Sequence, residues 1–267
     1  MPISFCVLAS GSSGNCIWVR GGGAEVLVDC GLSARETARR LSTVGLEMDR
    51  IEAAVCSHGH GDHVCGAAVL ARRFGLKIHA TTETLGLIRG DPPKSSLCAI
   101  PRAGSFRIKG LSFTTFATLH DAPGSVALVI DDGETRLGVV TDLGVVTEGL
   151  VRGFQGLDGL VLESNHDEDM LEGGPYPYFL KKRIAGVGGH LSNRQAGDLL
   201  GRLAHPGLQQ LTLAHLSEEN NRPEKALAVA EGVLAAAGAK ARVTVAGAHT
   251  VAEPVDLECR GQLPLAL

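Results

Sequence analysis

The sequence predicts an α/β protein folded as a four-layer αβ/βα sandwich, and three observations carry that expectation. Short β-rich runs alternate with amphipathic helical runs along the whole chain. These runs fall into two strand-rich halves with helices outside, so each half can form a sheet that buries its outer face under helices. No linker, low-complexity tract or long charge run divides the chain, so residues 1–267 read as one domain. In such layering, loops at one edge of the paired sheets collect the functional groups.

In chain order, residues 3–9, 16–20 and 25–29 are β-rich runs separated by Gly/Ser turns. Residues 34–44 follow helical spacing and stop at Gly45. Residues 53–57 form a small buried strand that runs into a histidine cluster. A helix over 64–74 ends at Gly75, and 77–80 is a strand. Further strands are expected at 105–108, 111–118, 125–130, 135–141 and 159–162. Residues 193–203, 209–214, 223–237 and 242–245 then alternate helix, strand, helix, strand. Pro206 breaks the chain after the first of these helices, and Pro223 suits the first turn of the next.

The hydrophobic fraction of 44% is that of a globular chain. With 35 glycines and only 4% aromatic residues, tight turns around an aliphatic core are expected. The net charge of −4 provides no global positive field for nucleic acid, which counts against a coat protein but leaves room for a local basic patch. Seven cysteines, an odd number without a CxxC, sit mostly in apolar runs. They read as free thiols in a reducing compartment. The chain opens directly on a strand-like run, without the ordered regions of a signal peptide. No apolar stretch reaches the roughly 20 residues that span a bilayer. A cytoplasmic protein is expected, with no membrane association and no obligate protein partner.

The segment Ser57-His58-Gly59-His60-Gly61-Asp62-His63 places four potential ligands within six positions, directly after a short apolar strand. Gly59 and Gly61 are expected to let the backbone fold tightly enough for all four to converge. Imidazole and carboxylate together suit zinc, iron or manganese. One ion takes about four ligands, and this loop cannot comfortably supply two shells, so further ligands are expected at other strand ends. His120, Asp142 and His215 each follow an apolar run and supply such positions.

The order HxHxDH, His, Asp, His resembles the metallo-β-lactamase superfamily over nearly the whole chain. The resemblance implies that His58, His60 and His120 hold one ion, that Asp62, His63 and His215 hold a second, and that Asp142 bridges them. It implies two divalent ions, zinc first and manganese or iron as alternatives, with a bridging hydroxide as nucleophile and Asp62 counted with the catalytic residues. The match is closer to the YycJ/WalJ-type branch. It is carried by residues 10–15 (SGSSGN), 28–31 (VDCG), 162–167 (LESNHD), 174–177 (GPYP), 189–193 (GHLSN) and 215–221 (HLSEENN). That branch implies DNA exonuclease-like activity, with nucleic acid as substrate.

Glu163, at a strand end, and His190, just before the helix at 193–203, resemble the pair in tRNA 3′-processing endonucleases, the RNase Z enzymes. There a Glu orients a His that protonates the leaving alkoxide, and a phosphodiester needs such an acid. Candidate substrate contacts are Ser12 and Ser13 in the Gly-rich loop, together with Asn165 and Asn193. Lys181, Lys182, Arg183 and Arg194 could contact backbone phosphates, and Tyr176 and Tyr178 could stack a base. The alternatives are hydrolysis of a small phosphodiester, lactone or thioester, and a non-catalytic metal-bound regulatory module.

Overall fold

The computed structural model describes residues 2–259; residues 1 and 260–267, which the expected single unit includes, lie outside the described residues. In the first half, β1 (Ser4–Ala9), β2 (Cys16–Gly21) and β3 (Ala24–Val28) pair antiparallel. β4 (Ala53–Val55), β5 (Lys77–Ala80) and β6 (Leu97–Ala99) continue that sheet in parallel. The second half repeats the scheme. β7 (Gly104–Ile108), β8 (Leu111–Ala117), β9 (Val126–Asp131) and β10 (Arg136–Val140) are antiparallel. β11 (Gly159–Glu163), β12 (Gln210–Ala214) and β13 (Arg242–Val245) follow in parallel. The chain then returns to the first sheet, where β14 (Val255–Asp256) pairs antiparallel with β1. Each sheet thus has seven strands.

Period-two alternation divides each strand between two cores. On β1, Phe5 and Val7 face the space between the sheets, while Cys6 and Leu8 face outward. The inter-sheet core joins Phe5, Val19 and Val28 to Phe113, Leu128 and Val161. The outer face of the first sheet is covered by α1 (Ala34–Thr43) and by α3 (Ala67–Phe74), which follows the short α2 (Gly61–Val64). The outer face of the second is covered by α5 (Glu148–Gly153), α8 (Asn193–Leu203) and α9 (Pro223–Ala236); the one-turn α4 (Thr82–Leu85) lies in the first half. A strand buried on both faces reads as a continuous apolar run, which is why these strands were visible in the sequence. Each large side chain so buried contributes roughly 1.5–3 kcal/mol.

Two departures from the sequence expectation matter for the site. The helix expected over 64–74 is interrupted, because Gly66 donates its N–H to the Cys30 carbonyl at 2.8 Å and packs against the Leu32 backbone. The first piece, α2, therefore carries Asp62 and His63 on a helical turn of its own. The second departure is the pair α6 (Glu168–Gly173) and α7 (Tyr178–Ile184), between β11 and α8. Helix α7 has no buried residue, so it lacks the apolar stripe that would have announced it. The cysteines at 6, 16, 30, 56, 65, 98 and 259 are all free. No helix among the described residues is long and apolar enough to cross a membrane.

Candidate metal and catalytic centre

The expected ligands converge where parallel strands of both sheets end. The loop after β4 brings His58 and His60, α2 brings Asp62 and His63, and the β8–β9 loop brings His120. Asp142 follows β10 and His215 follows β12. Five described residues other than glycine have positive φ, and three of them lie here: Asp29 at 63°, Asp142 at 57° and His215 at 55°. Such backbone strain is found where surrounding structure over-determines a functional position.

Among the described residues, four groups of donor atoms can each hold an ion: His58 with His60 and His120, Asp62 with His63 and His215, His58 with His63 and Asp142, and Asp142 with Glu163, His190 and His215. Within each group all donor atoms lie within 4.8 Å of one another. Asp142 reaches both sides, with Oδ2 3.1 Å from His63 Nε2 and Oδ1 3.8 Å from His120 Nε2. His58 Nε2, Asp142 Oδ2 and His215 Nε2 are buried without a hydrogen-bond partner. A buried polar atom left unpaired costs about 1–3 kcal/mol, and a cation satisfies all three at once. The donor set therefore fits divalent metal.

The second shell holds the rings in place. His63 Nδ1 donates to Asp29 at 2.8 Å, and the same carboxylate accepts from the Ser57 N–H at 2.8 Å and from the Ser57 hydroxyl at 3.0 Å. His120 Nδ1 donates to the Gly189 carbonyl at 3.1 Å, which turns Nε2 toward His60. A carboxylate or carbonyl behind an imidazole fixes its tautomer for metal binding. Asn15 donates to the Asp62 carboxylate at 3.2 Å and lies 2.9 Å from His63 Nε2. Asp121 lies 3.3 Å from His60 Nε2 and is paired to Arg183.

Without metal, the cluster balances its charge with protons. Burial works against charging His63 and His215, yet the facing carboxylates win. His63 is held well above the ordinary imidazole range by Asp29 and Asp142, and His215 is pushed up to about 10, mainly by Asp142. Burial drives His58 well below that range. Asp142 stays well below the carboxylate range despite complete burial, held there by His215 and His63.

Beside the ligands, His190 Nδ1 donates to Glu163 Oε1 at 2.8 Å. Glu163 is fully buried, and its other oxygen accepts from the Leu143 and Leu191 N–H groups at 2.9 and 3.0 Å. The capping box of Ser192 and Gln195 starts α8 right after His190 and so fixes the ring's position along the chain. Burial lowers the His190 pKa, but the Glu163 charge and hydrogen bond raise it by more, so the shift is upward. Glu163 Oε1 also stands 3.1 Å from His215 Nδ1. It therefore braces His215 as well as His190, a double attachment that its place at a strand end did not reveal.

A cavity of about 330 Å³ opens over this cluster, lined among others by Ser12, His60, Asp62, Asp121, Arg183 and His190. Of the expected substrate contacts, Ser12 lines it and Ser13 lines a neighbouring depression with Tyr176. Asn165 and Asn193 do not face it. Asn165 is buried and donates to the His215 carbonyl at 2.8 Å, while Asn193 is buried against Ser164 and Asn221. Their amides are used up inside the protein, so they support the β12 end rather than contact substrate. Arg194 is likewise bound to Glu168 and Asp198 rather than free for phosphate.

The expected role of the loop glycines also needs correction. Gly59 and Gly61 have no positive φ; a Cβ at Gly61 would meet nothing, while one at Gly59 would stand 2.3 Å from the Leu87 side chain. The backbone that demands glycine is Gly31, where a Cβ would stand 1.6 Å from the Asp62 carbonyl oxygen. That carbonyl accepts from the Asn15 N–H at 2.8 Å, and the His63 carbonyl accepts from the Cys30 N–H at 2.7 Å. Close backbone packing between residues 15, 30–31 and 62–63 thus sets the ligand loop. Gly31→Ala should cost about 1–3 kcal/mol or more of stability by overpacking and lower the metal content. Denaturant midpoint and elemental analysis check this; an unchanged midpoint with full metal would show that the loop is not set from here.

Comparison with known proteins gives one family. The family described as the metallo-beta-lactamase superfamily matches residues 9–206. The chain is 31% identical to exodeoxyribonuclease YycJ of Bacillus anthracis over 229 residues, covering 85% of this chain and 87% of that protein. It is 32% identical to exodeoxyribonuclease WalJ of Streptococcus pneumoniae, covering 83% and 84%. Among solved structures, the metallo-beta-lactamase fold protein YhfI of Bacillus subtilis superposes with a TM-score of 0.71 at 18% identity, covering 95% of this chain and all of that one.

Proposed function

Because the chain belongs to the metallo-β-lactamase superfamily, we propose that it is a dinuclear phosphodiesterase that removes nucleotides from DNA. The observation that carries this reading is the hydrogen-bonded His190–Glu163 pair at the wall of the ligand cavity. Thioester hydrolysis expels a thiolate and needs no strong proton donor, whereas expulsion of an alkoxide from a phosphodiester does. The relatives named as exodeoxyribonucleases support the same choice. The seven free cysteines fit a cytoplasmic location.

In this reading His58, His60 and His120 hold one ion, Asp62, His63 and His215 the other, and Asp142 stands between them. Zinc suits the three-histidine group and the mixed group equally well. Bound there, the ions supply activated water at neutral pH and offset charge on the phosphate. The chain's own residues do the rest. His190 keeps Nδ1 on Glu163, which leaves Nε2 as the atom that hands a proton to the departing oxygen. Glu163, pinned by two backbone N–H groups, keeps that ring from turning. Arg183, ion-paired with Asp121, and Ser12 also line the cavity.

Substrate class is tested by comparing bis-(p-nitrophenyl) phosphate with a lactone and a thioester. Phosphodiester hydrolysis alone is expected; preferential hydrolysis of either carbonyl substrate would replace this reading. A DNA oligonucleotide should also bind with a shallow salt dependence. With two or three phosphate contacts, affinity should fall roughly tenfold between 50 and 200 mM salt. Binding indifferent to salt, or absent at 50 mM, would leave a small phosphodiester as the substrate.

A further inference from the structure

Helix α7 separates two cavities. Leu180, Arg183 and Ile184 face the first, over the ligand cluster. Tyr178, Lys181, Lys182 and Ala185 face a second, of about 410 Å³, whose far wall includes His166 and Leu171. No part of the hydrolytic chemistry uses this second space, and its volume lies in the range of small-ligand sites.

Its lining has three unlike parts. His166 is 2% exposed, and its Nδ1 has no hydrogen-bond partner. That nitrogen is buried beneath the cavity wall, which the rest of the ring helps to line. Burial pushes the His166 pKa below the ordinary imidazole range, so at neutral pH the ring offers directional hydrogen bonding rather than charge. Tyr178 is 74% exposed, and Lys182 Nζ stands 5.5 Å from the centre of its ring. An aromatic face left to solvent suits stacking by a flat ring. Lys181 and Lys182 bring two cations to a chain of net charge −4. Of the two acids in the cavity, Glu168 is bound to Arg194 and Ser192, which reduces its opposition to an anion.

A polar edge reader, a stacking face and a cationic pair in one small cavity suit one class of ligand. We propose that the cavity behind α7 binds a nucleoside monophosphate unit: base on Tyr178, base edge toward His166, phosphate at Lys181 and Lys182. The proposal rests on the phosphodiesterase reading for its source of ligand, which is a strand crossing α7 from the first cavity. A helix body is about 10 Å across, so the bound unit lies a short distance along the strand from the bond being cut. A free mononucleotide carries the same chemistry, and the experiment separates the two.

The test uses the full chain and two variants on exposed positions, Tyr178→Ala and Lys182→Ser, with metal-loaded protein. In one arm 2′-deoxyadenosine 5′-monophosphate is titrated calorimetrically. In the other, kcat/KM for a DNA tetranucleotide is divided by kcat/KM for bis-(p-nitrophenyl) phosphate, which is too small to reach both cavities. Loss of a stacked base should lower that ratio about tenfold in Tyr178→Ala. A lowered ratio without mononucleotide binding identifies the strand as the source. Mononucleotide binding by the parent chain that weakens about tenfold in the variants, with an unchanged ratio, identifies the free nucleotide. If neither quantity moves in either variant, the proposal is overturned. If the parent chain fails to cleave bis-(p-nitrophenyl) phosphate, the phosphodiesterase reading fails, and the titration still judges the cavity by itself.

Discussion

Asp142→Asn should leave the protein folded, with less than its full metal complement and no measurable hydrolysis. The carboxylate is fully buried and stands within 3.1–3.8 Å of His63, His120 and His215. It is therefore the one anion facing ligands from both groups. Asparagine keeps its shape and tolerates the left-handed backbone that this position requires, at φ 57°. What it removes is the charge that, in the proposed dinuclear reading, would compensate two divalent cations, so at least one ion should be lost. Elemental analysis of the purified variant measures this directly. Because His63 and His215 hold protons tightly without metal, loading must expel them. Metal uptake in weak buffer should then release acid and weaken as pH falls. A variant that keeps two ions per chain and normal turnover would remove Asp142 from the centre.

His190→Ala should behave differently, keeping its metal while losing about 10²–10⁴-fold in phosphodiester cleavage, the usual contribution of a general acid. The ring is held by Glu163 at 2.8 Å and lines the cavity, and it also shares a donor group with Asp142 and His215. Loss should be steep for an alkoxide leaving group and slight for p-nitrophenolate, which departs without help. Equal losses on both substrates would remove the proton-donor role, and loss of metal would make His190 a ligand. Glu163→Gln should not be a milder version of the same change. Since Glu163 also touches His215 Nδ1 at 3.1 Å, it should lose metal affinity together with turnover. Metal content measured beside the rate separates the two substitutions.

The parts of this centre that could be read in the sequence are those whose signal is local. Four ligands crowd residues 58–63, and His120, Asp142 and His215 follow apolar runs that become strands. The sheets were legible for the same reason, since residues 126–130 and 159–162 are buried on both faces. Asn15 and Asp29 were not recognised, because each acts through a side chain brought up from a distant part of the chain; Asp121 is next to His120 in sequence and meets His60 only on folding. Asp29 meets His63 only when β3 and β4 pair. Asn165 and Asn193 lie away from the cavity for the converse reason: their motifs are visible in the sequence, but folding turns both amides inward. The break in the 64–74 helix depends on Gly66 meeting Cys30, a contact no periodicity records.

The pairing of β14 with β1 has a consequence for the order of assembly. Ser4 and Phe5 take Asp256 and Val255 as partners, the Ala252 N–H donates to the Val7 carbonyl, and the Leu257 N–H donates to the Ile3 carbonyl. The outer edge of the first sheet is therefore sealed by residues made about 250 positions later, whereas the last ligand is His215. Such distant pairing is slow, and an unsealed edge is open to pairing with other chains in the meantime. On a ribosome, where the chain emerges from its N-terminal end, every ligand is available before the sealing strand is. Ions captured at that stage would tie the two halves together while β1 still waits for its last neighbour, so metal supply during synthesis should protect the nascent protein from edge-to-edge aggregation.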